Sequence, residues 1–86
     1  MPTICSFRGI KIYINYSEHN PPHFHAKYGG QEVTILINEI EVLEGEIPSR
    51  QLKMLIGLAA LHQEELLENW NLAKNKQELF PIEPLK

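Results

Sequence analysis

The chain has 86 residues, the size of a single domain with a modest hydrophobic core. Its formal charge is −3 and all of its acidic residues are glutamates, which argues against a general binder of the phosphate backbone, because such proteins usually present a basic surface. The sequence has no apolar run of about eighteen residues, no signal-peptide pattern at its N-terminus and one cysteine. We therefore expect a cytoplasmic protein without a membrane span.

The first half of the chain predicts two β-hairpins. Residues 3–7 and 10–16 flank Arg8-Gly9, and the alternation from Ile10 onwards is typical of a half-buried strand. A two-residue loop would pair Phe7 with Ile10, Cys5 with Ile12 and Thr3 with Ile14. This register places the apolar side chains of the hairpin on one face.

The second predicted hairpin turns at Gly29-Gly30, between residues 23–28 and 31–37. Glycine tolerates the positive φ that tight hairpin turns require. The register pairs Phe24 with Ile35, Ala26 with Val33, His25 with Thr34 and Lys27 with Glu32, and each pair is chemically compatible. A further strand is expected over residues 40–43.

The second half predicts one long helix. Pro48 suits a first turn and Ser49 a cap, and apolar residues recur at helical spacing up to Trp70. The helix is expected to run unbroken to about Asn75, with Gly57 as a weak point. At 1.5 Å per residue it would be about 40 Å long, so either it bends or its C-terminal part packs on another chain. We expect a protein partner or self-association.

These elements predict an α+β fold in a single domain. An antiparallel, hairpin-built sheet of four to five strands is followed by one long C-terminal helix packed on one face. The sheet half spans residues 1–44, the helix residues 48–75 and an extended tail residues 76–86.

The run from His19 to His25 is the main candidate site, because it holds three of the four histidines. On a strand, His23 and His25 point to one face and Phe24 to the other. The pair suits general acid–base catalysis, as in metal-free RNA cleavage, or metal ligation with His19. Alternatively, both are surface residues bonded to Thr34 or to loop carbonyls. Because the nearby sequence contains no cysteine pair and no aspartate, we assign neither a metal site nor a cofactor.

Four further residues are candidate binding groups: His19, Arg8, Lys27 and Trp70. Arg8 and Lys27 would contact a phosphate, although Glu32 is the predicted partner of Lys27. Trp70, near the end of the long helix, would anchor a partner protein. His62 is expected to bond to a backbone group or a glutamate, away from the other histidines.

Several segments carry a family resemblance. They are residues 19–26 with Tyr28-Gly29, residues 41–45, residues 61–70, residues 82–85 and the opening residues 1–4. Together they resemble the small bacterial family catalogued as domain of unknown function 4160. The resemblance implies a gene beside that of another small protein, in an arrangement similar to toxin–antitoxin pairs. It carries over no catalytic residues.

Three hypotheses follow. The first is a component of a toxin–antitoxin-like two-protein system, with a toxin-like, RNA-directed role in which His23 and His25 are catalytic. The second is a non-enzymatic interaction module that binds the product of the neighbouring gene. The third is a small metal-binding protein that uses His19, His23 and His25. Histidines converging on one cleft would favour the first or third, and an apolar groove near Trp70 would favour the second.

Overall fold

A computed structural model describes residues 3–16 and 18–84. A five-stranded antiparallel sheet in the order β1-β2-β3-β4-β5 is followed by two helices. The strands are β1 (Thr3–Phe7), β2 (Ile10–Tyr13), β3 (His23–Tyr28), β4 (Gln31–Leu36) and β5 (Glu41–Gly45), and the helices are α1 (Ser49–Leu61) and α2 (Gln63–Lys74). No helix within these residues is long and apolar enough to cross a membrane. The expected α+β class and hairpin-built sheet are confirmed.

The β3–β4 hairpin has the predicted register, since Phe24 pairs with Ile35 and Lys27 with Glu32. The turn uses a positive φ of 60° at Gly29. Phe24 and Ile35 are fully buried. The observed pairs confirm the predicted register. It is strongly specified, because a shift by one residue would turn both side chains away from the core.

The β1–β2 hairpin follows its predicted register near the turn, where Phe7 pairs with Ile10 and Cys5 with Ile12. At the open end the predicted pairing of Thr3 with Ile14 is wrong, because the register shifts and Thr3 pairs with Tyr13. Such an irregularity lets consecutive residues turn inward, and Ile4 and Cys5 are both buried.

The single long helix is the main incorrect prediction. The helix is interrupted at His62, not at Gly57, although the His62 amide still donates to the Leu58 carbonyl oxygen. Directly after the break, the Gln63 side chain donates to the carbonyl oxygens of Ile37 and Asn38, in the turn before β5. The longest extent of the chain is 33 Å, which is shorter than the length of about 40 Å expected for one straight helix.

The two sheet edges are closed differently. Beside β1, the amide of Ile82 donates to the Ile4 carbonyl oxygen at 2.7 Å, and the buried Asn69 holds Phe80 through two hydrogen bonds of 3.0 Å. The tail therefore packs against the sheet edge as an extended segment. At the other edge, β5 is exposed along its whole length and its pairing with β4 contains a register shift, a feature that discourages further strand pairing.

The core lies between the sheet and the helices. It combines alternate strand residues with one face of each helix, and its largest buried side chains are Trp70, Phe24, Ile10, Ile12, Ile14, Ile35, Ile37, Leu55, Leu58 and Leu66. At Gly45, where φ is 81°, an added Cβ would lie 2.2 Å from the Glu32 carbonyl oxygen. This close backbone approach requires glycine where the chain leaves the sheet.

Candidate functional site

The site lies where β3 begins. His23 and His25 alternate with Phe24 and Ala26 along the strand, and the last two are fully buried in the core. The side chain of His23 is 10% exposed and that of His25 15%. The two imidazoles therefore lie together on the opposite side of β3 from the core, and both are largely shielded from water.

Glu18 joins the two histidines. It lies in the loop between β2 and β3, which folds back over the sheet face. Its Oε2 atom is 3.0 Å from Nε2 of His23, and its Oε1 atom is 3.3 Å from Nε2 of His25. Asn15 donates from Nδ2 to Oε1 at 2.8 Å. The Glu18 carboxylate thus faces three side-chain nitrogen atoms: Nδ2 of Asn15, which follows β2, and Nε2 of His23 and of His25, which lie in β3.

The second nitrogen of each ring also has a partner. Nδ1 of His23 lies 2.8 Å from the carbonyl oxygen of Pro21, and Nδ1 of His25 lies 3.1 Å from the hydroxyl oxygen of Thr34. Pro21 is held in the same loop, whose Asn20–Pro21 peptide is cis. The contacts at Nδ1 therefore fix the orientation of both rings, and the Nε2 atoms are turned toward Glu18.

Aromatic side chains enclose the pair. Tyr13 stacks on His25 with ring centroids 5.1 Å apart and an interplanar angle of 20°. The His23 ring meets that of His25 edge-on at 5.0 Å, and its centroid also lies 5.0 Å from that of Trp70. Since His23 is the first residue of β3, α2 reaches its ring at the end of the strand. Trp70 of α2 therefore contacts His23 although His23 faces away from the core.

The electrostatics of Glu18 reflect two opposing effects. Partial burial by itself raises the pKa of the Glu18 carboxyl, because it penalises the charged form. The hydrogen bonds from Asn15, His23 and His25, together with the positive charge of a protonated His23, act in the other direction and outweigh the burial. The net result is a pKa below the usual glutamate value, so Glu18 is a carboxylate at neutral pH.

The hydrogen bonds of His23 place a condition on its charge. A backbone carbonyl oxygen and a carboxylate oxygen both accept hydrogen bonds and donate none. His23 lies between these two kinds of acceptor. A neutral ring can therefore donate to only one of these two acceptors, and its other nitrogen then faces an acceptor with a lone pair unless a hydrogen or a cation lies between them.

Glu18, His23 and His25 also have the composition of a metal site. One ligand atom from each lies within 4.8 Å of the others. Imidazole nitrogen and carboxylate oxygen are ordinary ligands of zinc. The contact from Nδ1 of His23 to a carbonyl oxygen is the support that metal-binding histidines commonly have. The same groups would also suit proton transfer between His23, His25 and a bound molecule.

The structure does not bring all the predicted site residues together. His19 is exposed in the loop, and no hydrogen bond or ring contact found among the described residues joins it to His23 or His25. Arg8 lies in the β1–β2 turn, at the Tyr28 end of β3 and not at the His23 end. Trp70 is 2% exposed and packs inside the molecule.

Two other predicted residues lie outside the cluster. Nζ of Lys27 is 5.3 Å from the centroid of the Tyr13 ring. Lys27 lies two residues after His25 on β3, on the same face of the sheet. His62 bonds through Nδ1 to Oε1 of Glu65 at 2.6 Å, which confirms the expected glutamate partner.

Sequence reasoning missed Glu18 and Tyr13. Glu18 lies directly before His19 in the sequence and supplies the third candidate ligand that neither a cysteine pair nor an aspartate could. Tyr13 carries a clearer signal, because it alternates with the apolar residues Ile12 and Ile14 and so faces the same side as the histidines. The contact between Glu18 and His25 could not be predicted in the same way, because it depends on how the loop between β2 and β3 folds.

Comparison with known proteins gives one match. A family model described as "Domain of unknown function (DUF4160)" matches residues 9–71, a segment that contains Glu18, both histidines of β3 and Trp70. The resemblance seen in the sequence is thereby confirmed. Searches of curated proteins and of solved structures found no match.

Proposed function

Since the chain belongs to the family of domain of unknown function DUF4160, a description that states no activity, we propose a function from the site itself. The cluster of Glu18, His23 and His25 binds a divalent transition-metal ion, and Zn²⁺ is the ion that its ligand atoms suit best. Two imidazoles and one carboxylate form a common set of protein ligands for zinc.

The hydrogen bonding of His23 is the observation that carries this proposal. With its Nδ1–H donated to Pro21, the neutral ring presents a lone pair at Nε2, 3.0 Å from a carboxylate oxygen. In the absence of a cation, that arrangement requires a hydrogen between Nε2 and Glu18. A metal ion takes the place of this hydrogen and is attracted by the carboxylate, so binding releases a proton.

His25 adapts to either state. His25 lies between the Thr34 hydroxyl and Glu18; without a metal its Nε2–H would donate to Glu18 while the Thr34 hydroxyl donates to Nδ1, and with an ion at Nε2 its Nδ1–H would donate to the Thr34 oxygen. A hydroxyl group both donates and accepts, so neither state leaves a nitrogen without a partner. Glu18, His23 and His25 would hold the ion, and because the Glu18 side chain is 26% exposed, water or a ligand atom could reach the ion from that side.

The test is zinc binding by the purified full chain, measured by competition with a chromophoric chelator. We expect one zinc per chain and weakening by about tenfold or more in Glu18→Gln and in His25→Gln. The control is Glu65→Gln, which makes the same chemical change in the other histidine–glutamate pair and should leave the affinity unchanged. Equal affinities for Glu18→Gln and Glu65→Gln, or no zinc bound at equimolar concentration, would overturn the proposal.

A second candidate function is the toxin-like, RNA-directed member of a two-protein system in the bacterial cytoplasm. The two-protein arrangement is what the sequence resemblance implies, and the close approach of His23 and His25, with ring centroids 5.0 Å apart, supports acid–base catalysis. Release of Glu18 from the imidazoles would be needed before they act on a substrate. The alternative of an interaction module that binds the neighbouring gene's product, or a second copy of the chain, remains a proposal.

Expression in a bacterial host, with and without the neighbouring gene, tests the second candidate. A toxin-like role predicts growth arrest by the chain alone, rescue by the neighbour and loss of arrest in His25→Gln. The matched control, His62→Gln, should still arrest growth. Arrest that persists in His25→Gln, or no arrest by the wild-type chain, would contradict this role.

A further inference from the structure

A second row of polar side chains lies beside the metal-binding cluster on the same sheet face. Ser6, Lys11, Lys27 and Glu32 are successive cross-strand partners from β1 to β4, and all four are exposed. Tyr13, His25 and Thr34 are the corresponding partners two residues along. Side chains two positions apart on a strand share a face and lie about 7 Å apart.

Lys11 and Lys27 stand directly opposite each other in this row. Cross-strand partners have Cβ atoms about 4.5–5.5 Å apart, and like charges in that arrangement are destabilising. Among the ion pairs found within the described residues, none includes either lysine. The neighbouring carboxylate of Glu32 accepts a hydrogen bond from the Tyr13 hydroxyl. The row therefore places two ammonium groups side by side, with one carboxylate, that of Glu32, next to Lys27.

We propose that Lys11 and Lys27 form a subsite for the phosphate group of a ligand, the rest of which reaches the Glu18–His23–His25 cluster. Two ammonium groups match the charge of a phosphate dianion, which is near −2 at neutral pH, and lysine is a frequent phosphate binder. Ser6, on the other side of Lys11, places a hydroxyl donor in the same row. The inference that the ligand extends to the Glu18–His23–His25 cluster rests on the proposed metal site, whereas the lysine subsite does not depend on it.

The position of Lys27 supports this connection between the two rows. Its Nζ atom lies 5.3 Å from the Tyr13 ring centroid, and Tyr13 in turn stacks on His25. A phosphate held by Lys27 therefore lies one side chain away from the open side of the cluster. This spacing fits a phosphate attached to a further polar group, such as a nucleotide unit, better than a phosphate bound directly to the metal.

The first experiment titrates inorganic phosphate into the metal-free full chain at low ionic strength and follows ³¹P NMR. The variant Lys11→Met with Lys27→Met should bind phosphate about tenfold or more weakly. The matched control, Lys53→Met with Lys74→Met, removes the same charge from exposed positions on the two helices and should retain the wild-type affinity. Equal weakening in both double variants would mean a general charge effect and would overturn the subsite.

Thermal unfolding provides a second measurement that does not depend on zinc. Lys11→Met removes the like-charge opposition, so its Tm in phosphate-free buffer should be at least that of the wild type. Phosphate should raise the Tm of the wild type and of the helix control but not that of the double Lys11 and Lys27 variant. A Tm increase by phosphate in that variant would contradict the proposal.

A third measurement separates the subsite from the metal site. The double Lys11 and Lys27 variant should keep the wild-type zinc affinity. A short single-stranded oligoribonucleotide should bind more tightly to the zinc-loaded chain than to the metal-free chain, whereas inorganic phosphate should bind both equally. Phosphate binding through the lysines without any zinc effect on the oligoribonucleotide would overturn the shared ligand and leave the subsite in place.

Discussion

The chain contains two histidine–glutamate arrangements that differ in how they are built. His62 and Glu65 are three residues apart at the start of α2, where helical geometry brings their side chains together. Glu18, His23 and His25 come from a loop and a strand, and they also contact Tyr13, Thr34 and Trp70. The first arrangement depends on one helical turn and the second on the tertiary fold.

The difference appears in exposure and in the number of partners. The Glu65 side chain is 45% exposed and bonds to one histidine. The Glu18 side chain is 26% exposed and accepts from three nitrogen atoms, and this lowers its pKa despite the burial. Solvent weakens the first interaction more than the second. The non-local cluster should therefore respond strongly to changes that leave the local pair nearly unaffected.

The largest expected effect comes from removing the buried support of the cluster. Trp70→Ala deletes a side chain that is 2% exposed and lies against His23, so we expect a loss of about 3–5 kcal/mol in the free energy of unfolding. Urea denaturation measures it. Leu61→Ala, at a position that is 69% exposed, should change the stability by less than about 0.5 kcal/mol. A small loss for Trp70→Ala would mean that the cluster does not depend on α2.

A smaller effect is expected from neutralising each glutamate. Glu18→Gln loses charge-assisted hydrogen bonds to His23 and His25, which we expect to cost about 1–2 kcal/mol of unfolding free energy after allowance for partial exposure. Glu65→Gln should cost less than about 0.5 kcal/mol, because its pair is on the surface. Urea denaturation at neutral pH compares the two variants, and equal losses would remove the distinction between the two arrangements.

The smallest and most specific effect is the pH dependence of the stability difference between the wild type and Glu18→Gln. Because the pKa of Glu18 is lowered on folding, its stabilisation is complete above the glutamate pKa of the unfolded chain, about 4.3. It is lost as the pH falls through the lower pKa of the folded state. The stability difference between wild type and Glu18→Gln should therefore shrink as the pH falls below about 4. A difference that grows in acid would contradict the lowered pKa.

Most of the sheet could be predicted from the sequence because its signals are local. The two-residue turns at Arg8-Gly9 and Gly29-Gly30 fix the hairpins, and alternation fixes which side chains face the core. The register error at Thr3 arose because the sequence does not mark the irregularity that turns both Ile4 and Cys5 inward. The α+β class therefore followed from pattern alone, with an error at one strand end.

The helix shows the limit of the same reasoning. Its apolar spacing continues past His62, so periodicity predicts one helix. The interruption accompanies a contact between Gln63 and the carbonyl oxygens of Ile37 and Asn38, which lie about 25 residues earlier in the chain. A signal based on neighbouring residues cannot show such a contact.

The candidate site also has one part that the sequence predicts and another that only the tertiary structure shows. The sequence by itself determined that His23 and His25 share a face of β3, because side chains alternate along any strand, and that Lys27 lies on that face with them. The tertiary structure alone decided that Glu18 closes over both imidazoles, that Trp70 packs on His23 and that His19 and Arg8 lie apart. The reason is that alternation acts over two residues, whereas the position of a loop carboxylate depends on the packing of the whole sheet and of α2.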